Sequence, residues 1–217
     1  MKLIVAGHKG GIGKTTFVIN LAILLMYRGL KVGIIKADKN PDLLKWNERR
    51  EEKGLPLVPI VEAYGDISKD VKRLEKLFDV VLIDVAGHDS SEFRSGLSIA
   101  DSLVTLVRPS AQIEIDTLAD VTKVVREIQH LKNPALEPWI LFTRCKTSPT
   151  NQDASNLAKD LKSDPIWLQP LKQRISQLDV YELAVNEGMG VHEIKSASSL
   201  SKAKGQLELV ATELKII

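Results

Sequence analysis

The segment Gly7-His8-Lys9-Gly10-Gly11-Ile12-Gly13-Lys14-Thr15-Thr16 joins residue types suited to one task, the grip of a polyphosphate. Glycines let backbone N–H groups converge on an anion without Cβ clashes. A helix starting near Lys14 turns its positive end and its unpaired amides toward the same anion. Lys14 then reaches the β- and γ-phosphates, and the Thr15 hydroxyl is a ligand for Mg²⁺. Gly10, Gly11, Ile12, Gly13 and Thr16 complete the candidate cradle. Counted back from Gly13, the first glycine of the pattern G-x-x-x-x-G-K-[ST] falls at position 8, which is histidine. A second candidate is Asp84, which closes the apolar run from Asp79, a place from which a carboxylate can hold Mg²⁺ through water. Asp89 has two readings, a neighbour of the nucleotide or a cap for the next helix.

Such a loop works only between a strand and a helix, and the chain supplies both. Short β-branched runs alternate with amphipathic stretches, the pattern of a parallel sheet with helices on both faces. Strands are predicted over 3–6, 31–37, 57–61, 79–83, 102–107 and 139–143. The first helix runs from Lys14 toward Gly29 and turns Phe17, Ile19, Leu21, Leu24 and Leu25 inward. Further helices are predicted over 42–53, 68–77, 90–99, 115–131 and 199–214. From 144 to 198 the pattern reads as alternating helix and loop. With no internal repeat, low-complexity tract or linker, the fold class is α/β: one doubly wound, mostly parallel sheet and one P-loop domain over 1–217.

Composition narrows the setting. The 217 residues are 44% hydrophobic and 27% charged, which excludes a disordered chain. Cys145 is the only cysteine, so no disulfide forms within the chain and a cytoplasmic location is expected. No apolar run reaches eighteen residues. A net charge of +2 announces no strongly basic domain, so any nucleic-acid contact must come from local clustering or from a dimer.

The loop Lys9-Gly10-Gly11-Ile12-Gly13-Lys14-Thr15-Thr16 resembles the variant phosphate loop of the ParA/MinD family of ATPases. The resemblance implies ATP and Mg²⁺ as cofactors, and a role for Lys9 across a dimer interface, on phosphates bound by the other subunit. Lys36-Ala37-Asp38-Lys39-Asn40 lies where the family has D-x-D-P-Q. There Asp38 matches the aspartate that orients the attacking water and stands near the metal, and a capping aspartate is the competing reading. Lys36 replaces the family's first aspartate, and Lys39-Asn40 replaces Pro-Gln. Thr143 and Arg144 match the region that recognises adenine, although Arg144 reads equally well as a surface residue.

The segments Asp42 to Trp46, Val107 to Ser110, Leu171 to Ile175 and Lys204-Gly205 resemble small plasmid-partition ParA proteins that lack an N-terminal DNA-binding extension. That likeness nominates Arg174 and Lys204, supported by Lys172, Lys195 and Lys202, for sequence-blind DNA binding. It implies an ATP-dependent homodimer, association with the nucleoid, and a ParB-like centromere-binding adaptor. Three rival functions remain: a MinD-like membrane ATPase, a positioner of protein cargo, and an ATP-dependent small-molecule synthetase. The first needs a C-terminal helix with a basic, lipid-facing surface. Glu208 and Glu213 argue instead for a helix that covers the core and for no membrane contact. An iron–sulfur relative is excluded, because two subunits with one cysteine each cannot supply four thiolates.

Overall fold

A computed structural model describes the chain except for residues 8–10, 87–88 and 149 and the side chains of 113 and 114. His8, Lys9 and Gly10 of the phosphate loop, and Gly87, the glycine expected to free the turn after Asp84, therefore lie outside the described residues.

Seven strands form one sheet: β1 (Lys2–Ala6), β2 (Val32–Lys36), β3 (Ile60–Glu62), β4 (Val80–Asp84), β5 (Ser102–Val107), β6 (Glu137–Cys145) and β7 (Gln169–Ser176). Their order is β3-β2-β4-β1-β5-β6-β7, and every pair is parallel. Strands buried on both faces read as continuous apolar runs, which explains why Val80 to Ile83 and Leu103 to Val107 carry almost no polar residue.

Alternation divides the core in two. Leu3 and Val5 face one cluster, with α1 (Lys14–Tyr27), α2 (Asp42–Glu52), α8 (Asp179–Asn186) and α9 (Leu200–Glu213). Ile4 and Ala6 face the other, with α3 (Ser68–Leu74), α4 (Ser91–Leu97), α6 (Leu118–Leu131) and α7 (Asp153–Lys162). A short α5 (Gln112–Asp116) precedes α6. The sheet is the doubly wound one expected from the sequence.

Four expectations are corrected. The stretch 144–198 contains β7, which carries Lys172 and Arg174 along the sheet edge. The helix expected over 115–131 begins earlier and divides at Thr117, whose own backbone is helical (φ −78°, ψ −12°). The strand expected over 57–61 is β3, three residues later. Ser90 rather than Asp89 caps α4, accepting from the Phe93 N–H at 3.2 Å, while Asp89 pairs with Arg94 at 2.6 Å. In α9, Leu207, Val210, Ala211 and Leu214 are buried, so this helix covers the core as expected.

One polar brace stands out within this apolar frame. Arg50 of α2 is fully buried, stacks on Trp46 and holds Glu193 through both carboxylate oxygens at 2.7 and 2.9 Å. It also donates to the carbonyls of Pro56 and Gly188, while the Trp46 indole N–H donates to Met189. These bonds tie α2 to the turn after α8. Removing one partner of a buried pair strands the other. Arg50→Met is therefore expected to lose about 3 kcal/mol of stability in urea unfolding. Lys53→Met, at the exposed Lys53–Glu187 pair, should leave the curve unchanged.

Candidate functional site

The described part of the phosphate loop runs from the end of β1 into α1. Gly11 and Gly13 have φ of +83° and +93°, a region that only glycine enters without strain. At Gly7 an added Cβ would lie 2.8 Å from the Ile12 side chain, so these two residues approach too closely for a larger residue at 7. Gly13 stands at the start of α1, and a Cβ there would meet nothing within 4 Å. Glycine at 13 is thus required by backbone conformation, beside open space. Thr143 on β6 supports the loop from below, its hydroxyl donating to the Ile12 carbonyl at 3.0 Å.

Lys14 is buried and its ammonium serves two carboxylates, Asp38 at 2.9 Å and Asp84. Asp84 ends β4, directly beside β1, and Asp38 follows β2. The sheet register thus gathers residues 14, 38 and 84 on one edge, at the carboxyl ends of the strands. Open α/β sheets bind ligands there, where the strand order reverses. Burial pushes the Asp84 carboxyl upward, although the Lys14 charge opposes it. For Asp38, burial also opposes ionisation, but Lys14 and the Asn40 N–H together hold the group below the usual carboxylate range.

Among the described residues no cluster of three or more His, Cys, Asp or Glu could hold a metal by itself. The donor set fits a different arrangement. A hard oxygen-seeking ion such as Mg²⁺ takes one or two carboxylates plus substrate phosphates and water. Asp84, Asp38 and the Thr15 hydroxyl suit that chemistry, while Lys14 and the α1 amides suit the phosphates.

Beside the loop opens a pocket lined by Ile12, Thr16, Phe17, Thr143, Arg144 and Tyr181, among others. Arg144 sits on its rim with φ +50°, donates to the Gly11 carbonyl and pairs with Glu182 at 3.1 Å. Thr143 and Arg144 are therefore next to the loop, with their polar groups engaged by the protein. The opposite wall comes from Ser176 to Asp179, between β7 and α8. Sequence reasoning missed that wall because it missed β7. The available signal was the alternation of Leu171 and Ile175 with Lys172 and Arg174.

The five basic candidates for DNA do not share one face. Leu171 and Ile175 pack toward α9, so Lys172 and Arg174, at alternate positions, are exposed on the other side of β7. Lys195 precedes α9, and Lys202 and Lys204 belong to its first turns, with Lys204 donating to the Ile194 carbonyl at 3.3 Å. Cys145 is buried and free, its thiol pushed up to about 11 by burial, so it is no ready nucleophile.

Known proteins share this fold and much of the sequence pattern. The profile of the CobQ/CobB/MinD/ParA nucleotide binding domain matches residues 3–175. VirC1 of Rhizobium radiobacter is 26% identical over 191 residues, covering 83% of this chain and 78% of that protein. ParA of the same organism is 23% identical over 198 residues, covering 89% and 86%. A Cyanothece McdA variant in complex with ATP superposes with a TM-score of 0.71 at 19% identity, covering 99% of this chain and 96% of that one. With the profile spanning most of the sequence, and Lys14, Asp38 and Asp84 gathered at the strand ends beside a glycine loop, the chain belongs to the CobQ/CobB/MinD/ParA family of nucleotide-binding proteins.

Proposed function

We propose that this protein is an ATPase that closes into a dimer on ATP, coats DNA without sequence preference, and moves or partitions a DNA cargo. The observation that carries the reading is the single ammonium of Lys14 held between Asp38 and Asp84. An ammonium so placed neutralises transferring phosphate, and the carboxylates it leaves are free for Mg²⁺ and for water. Support for partition or positioning comes from the ParA relative, which matches 89% of the chain, and from the fold shared with a plasmid partition protein of Borrelia burgdorferi.

In the proposed cycle, Lys14 and the α1 amides bind the β- and γ-phosphates. Thr15 and Asp84 hold Mg²⁺, directly or through water. Asp38 orients the attacking water, and Lys9 reaches the nucleotide of the partner subunit. Two facing triphosphates repel, so each subunit must lend a cation to its twin's nucleotide. Magnesium held there would supply positive charge beside the phosphates. Thr143, Arg144 and the wall of 176–179 form the candidate nucleoside pocket. Lys172, Arg174, Lys195, Lys202 and Lys204 supply charge to DNA, and a ParB-like adaptor triggers hydrolysis and dimer loss.

Three substitutions test these roles. Lys9→Gln should leave a monomer in sedimentation with a nonhydrolysable ATP analogue and Mg²⁺, where the unaltered protein sediments as a dimer. Asp38→Ala should cut ATP turnover about a hundredfold while the ATP-bound dimer persists. Arg174→Glu should lower duplex affinity and reduce the slope of log K against log salt by about one or two, equally for unrelated sequences. Undiminished turnover in Asp38→Ala would remove that carboxylate from the mechanism, and an unchanged salt slope would move the DNA face elsewhere.

A further inference from the structure

Lys36 departs from the family pattern, and the fold gives it an unusual setting. It ends β2 with only 2% of its surface exposed. In the sheet register it is paired with Glu62 of β3 on one side and Asp84 of β4 on the other. In-register neighbours of a parallel sheet point to the same face, with strands about 4.8 Å apart. Three charged residues therefore stand in a row across the strand ends: Glu62, Lys36 and Asp84. The row continues through Lys14 to Asp38. Charge alternates along all five positions.

The Lys36 ammonium is held by Glu62 at 2.9 Å and by the Tyr64 hydroxyl at 3.2 Å, with the Tyr64 ring 5.8 Å away. An aspartate at position 36 would place two carboxylates directly beside each other on β2 and β4, with Glu62 as a third on β3. Such a row would have Lys14 as its one resident cation and would need bound cations for the rest. With lysine present, the same row already carries a fixed positive charge.

We propose that Lys36 is a resident counter-cation of the phosphate site, taking over part of the charge balance that a metal ion otherwise supplies. Nucleotide binding to this chain then depends less on Mg²⁺ than it would with a neutral or acidic residue at 36. Two effects add. The lysine attracts metal-free nucleotide, and it repels the divalent ion. Lys36 acts here as a positioning charge on the carboxylates and phosphates, with no bond made or broken through it.

The inference rests on nucleotide binding at the loop, and not on DNA or cargo. Its test is equilibrium titration with fluorescently labelled ADP, once with excess Mg²⁺ and once with EDTA, read as the Kd in EDTA divided by the Kd in Mg²⁺. Lys36→Met should raise that ratio about tenfold, and Lys36→Asp further, while Lys36→Arg keeps it near the original value. Glu62→Gln alters a half-exposed carboxylate and leaves Lys36 its Tyr64 partner, and urea unfolding run beside the titration checks that this variant is folded. It retains the lysine and should lower the ratio about threefold. Equal ratios in the original protein and Lys36→Met overturn the proposal. An unchanged or raised ratio in Glu62→Gln also does so, the rise marking the ion pair as a structural tie alone. An unaltered protein that binds no labelled ADP under either condition overturns the nucleotide reading as well.

Discussion

One ammonium shared by two carboxylates is the constraint around which this molecule is arranged. Lys14 can reach both Asp38 and Asp84 only if β1, β2 and β4 end at the same level. Parallel register enforces that level, because Val5 pairs with Asp84 and Lys36 pairs with Asp84 from the other side. A buried lysine beside one carboxylate would be a balanced ion pair. Beside two, it leaves the cluster short of positive charge and ready to accept a divalent ion once phosphate draws the lysine away. In the proposed function, nucleotide and metal would complete a charge balance that the protein leaves open.

The brace between α2 and the turn after α8 matters because of what each helix adjoins. Asp38 lies four residues before α2, in a loop tightened by the Asn40 N–H on the Asp38 carboxylate and by the Asp42 N–H on Asn40. Tyr181 and Glu182 of α8 line the pocket beside the phosphate loop. Arg50 and Trp46 join these helices through hydrogen bonds and a stacked pair that leave little freedom for independent movement. The pocket wall and the carboxylate loop thus adjoin two elements that these contacts tie together on the same face of the sheet. Gly188 belongs to this fit, since an added Cβ would come within 2.9 Å of the α2 backbone.

The phosphate loop was legible in the sequence because its function is written in backbone chemistry: glycine for φ, lysine and threonine for their heads, a helix directly after. Asp84 was legible for a similar reason, as the first polar residue after a buried run. Other features depended on contacts distant in sequence. The departure at Lys36 was visible, but its partners Glu62 and Tyr64 come from β3 and the residues after it, a strand that pattern alone placed three residues too early. The strand β7 was hidden by Pro170 and by its charged alternate positions. Both are what an edge strand tolerates, since proline costs least where one side of the ladder is unpaired and exposed charge discourages edge-to-edge pairing. The residues that nominated β7 as a DNA-binding segment are thus also the residues that make it a safe edge.

That double reading bears on how DNA would be held. Lys172 and Gln173 donate their backbone N–H groups to Glu213, which places an acidic side chain at the same edge as the two basic ones. Lys172 and Arg174 lie on one side of β7, and the basic residues at the start of α9 belong to the layer on the other. No single face of one subunit therefore concentrates all five charges. Counterion release does not require a shaped surface, only phosphates neutralised at the same time. A monomer offering two or three contacts would bind feebly at physiological salt, and two subunits closed on ATP would double the number. Because the salt-dependent part of the binding free energy grows with the number of contacts, doubling them roughly squares their contribution to affinity. A chain with a net charge of only +2 could then switch between free and DNA-bound states by dimerisation alone, with no change in either subunit's surface.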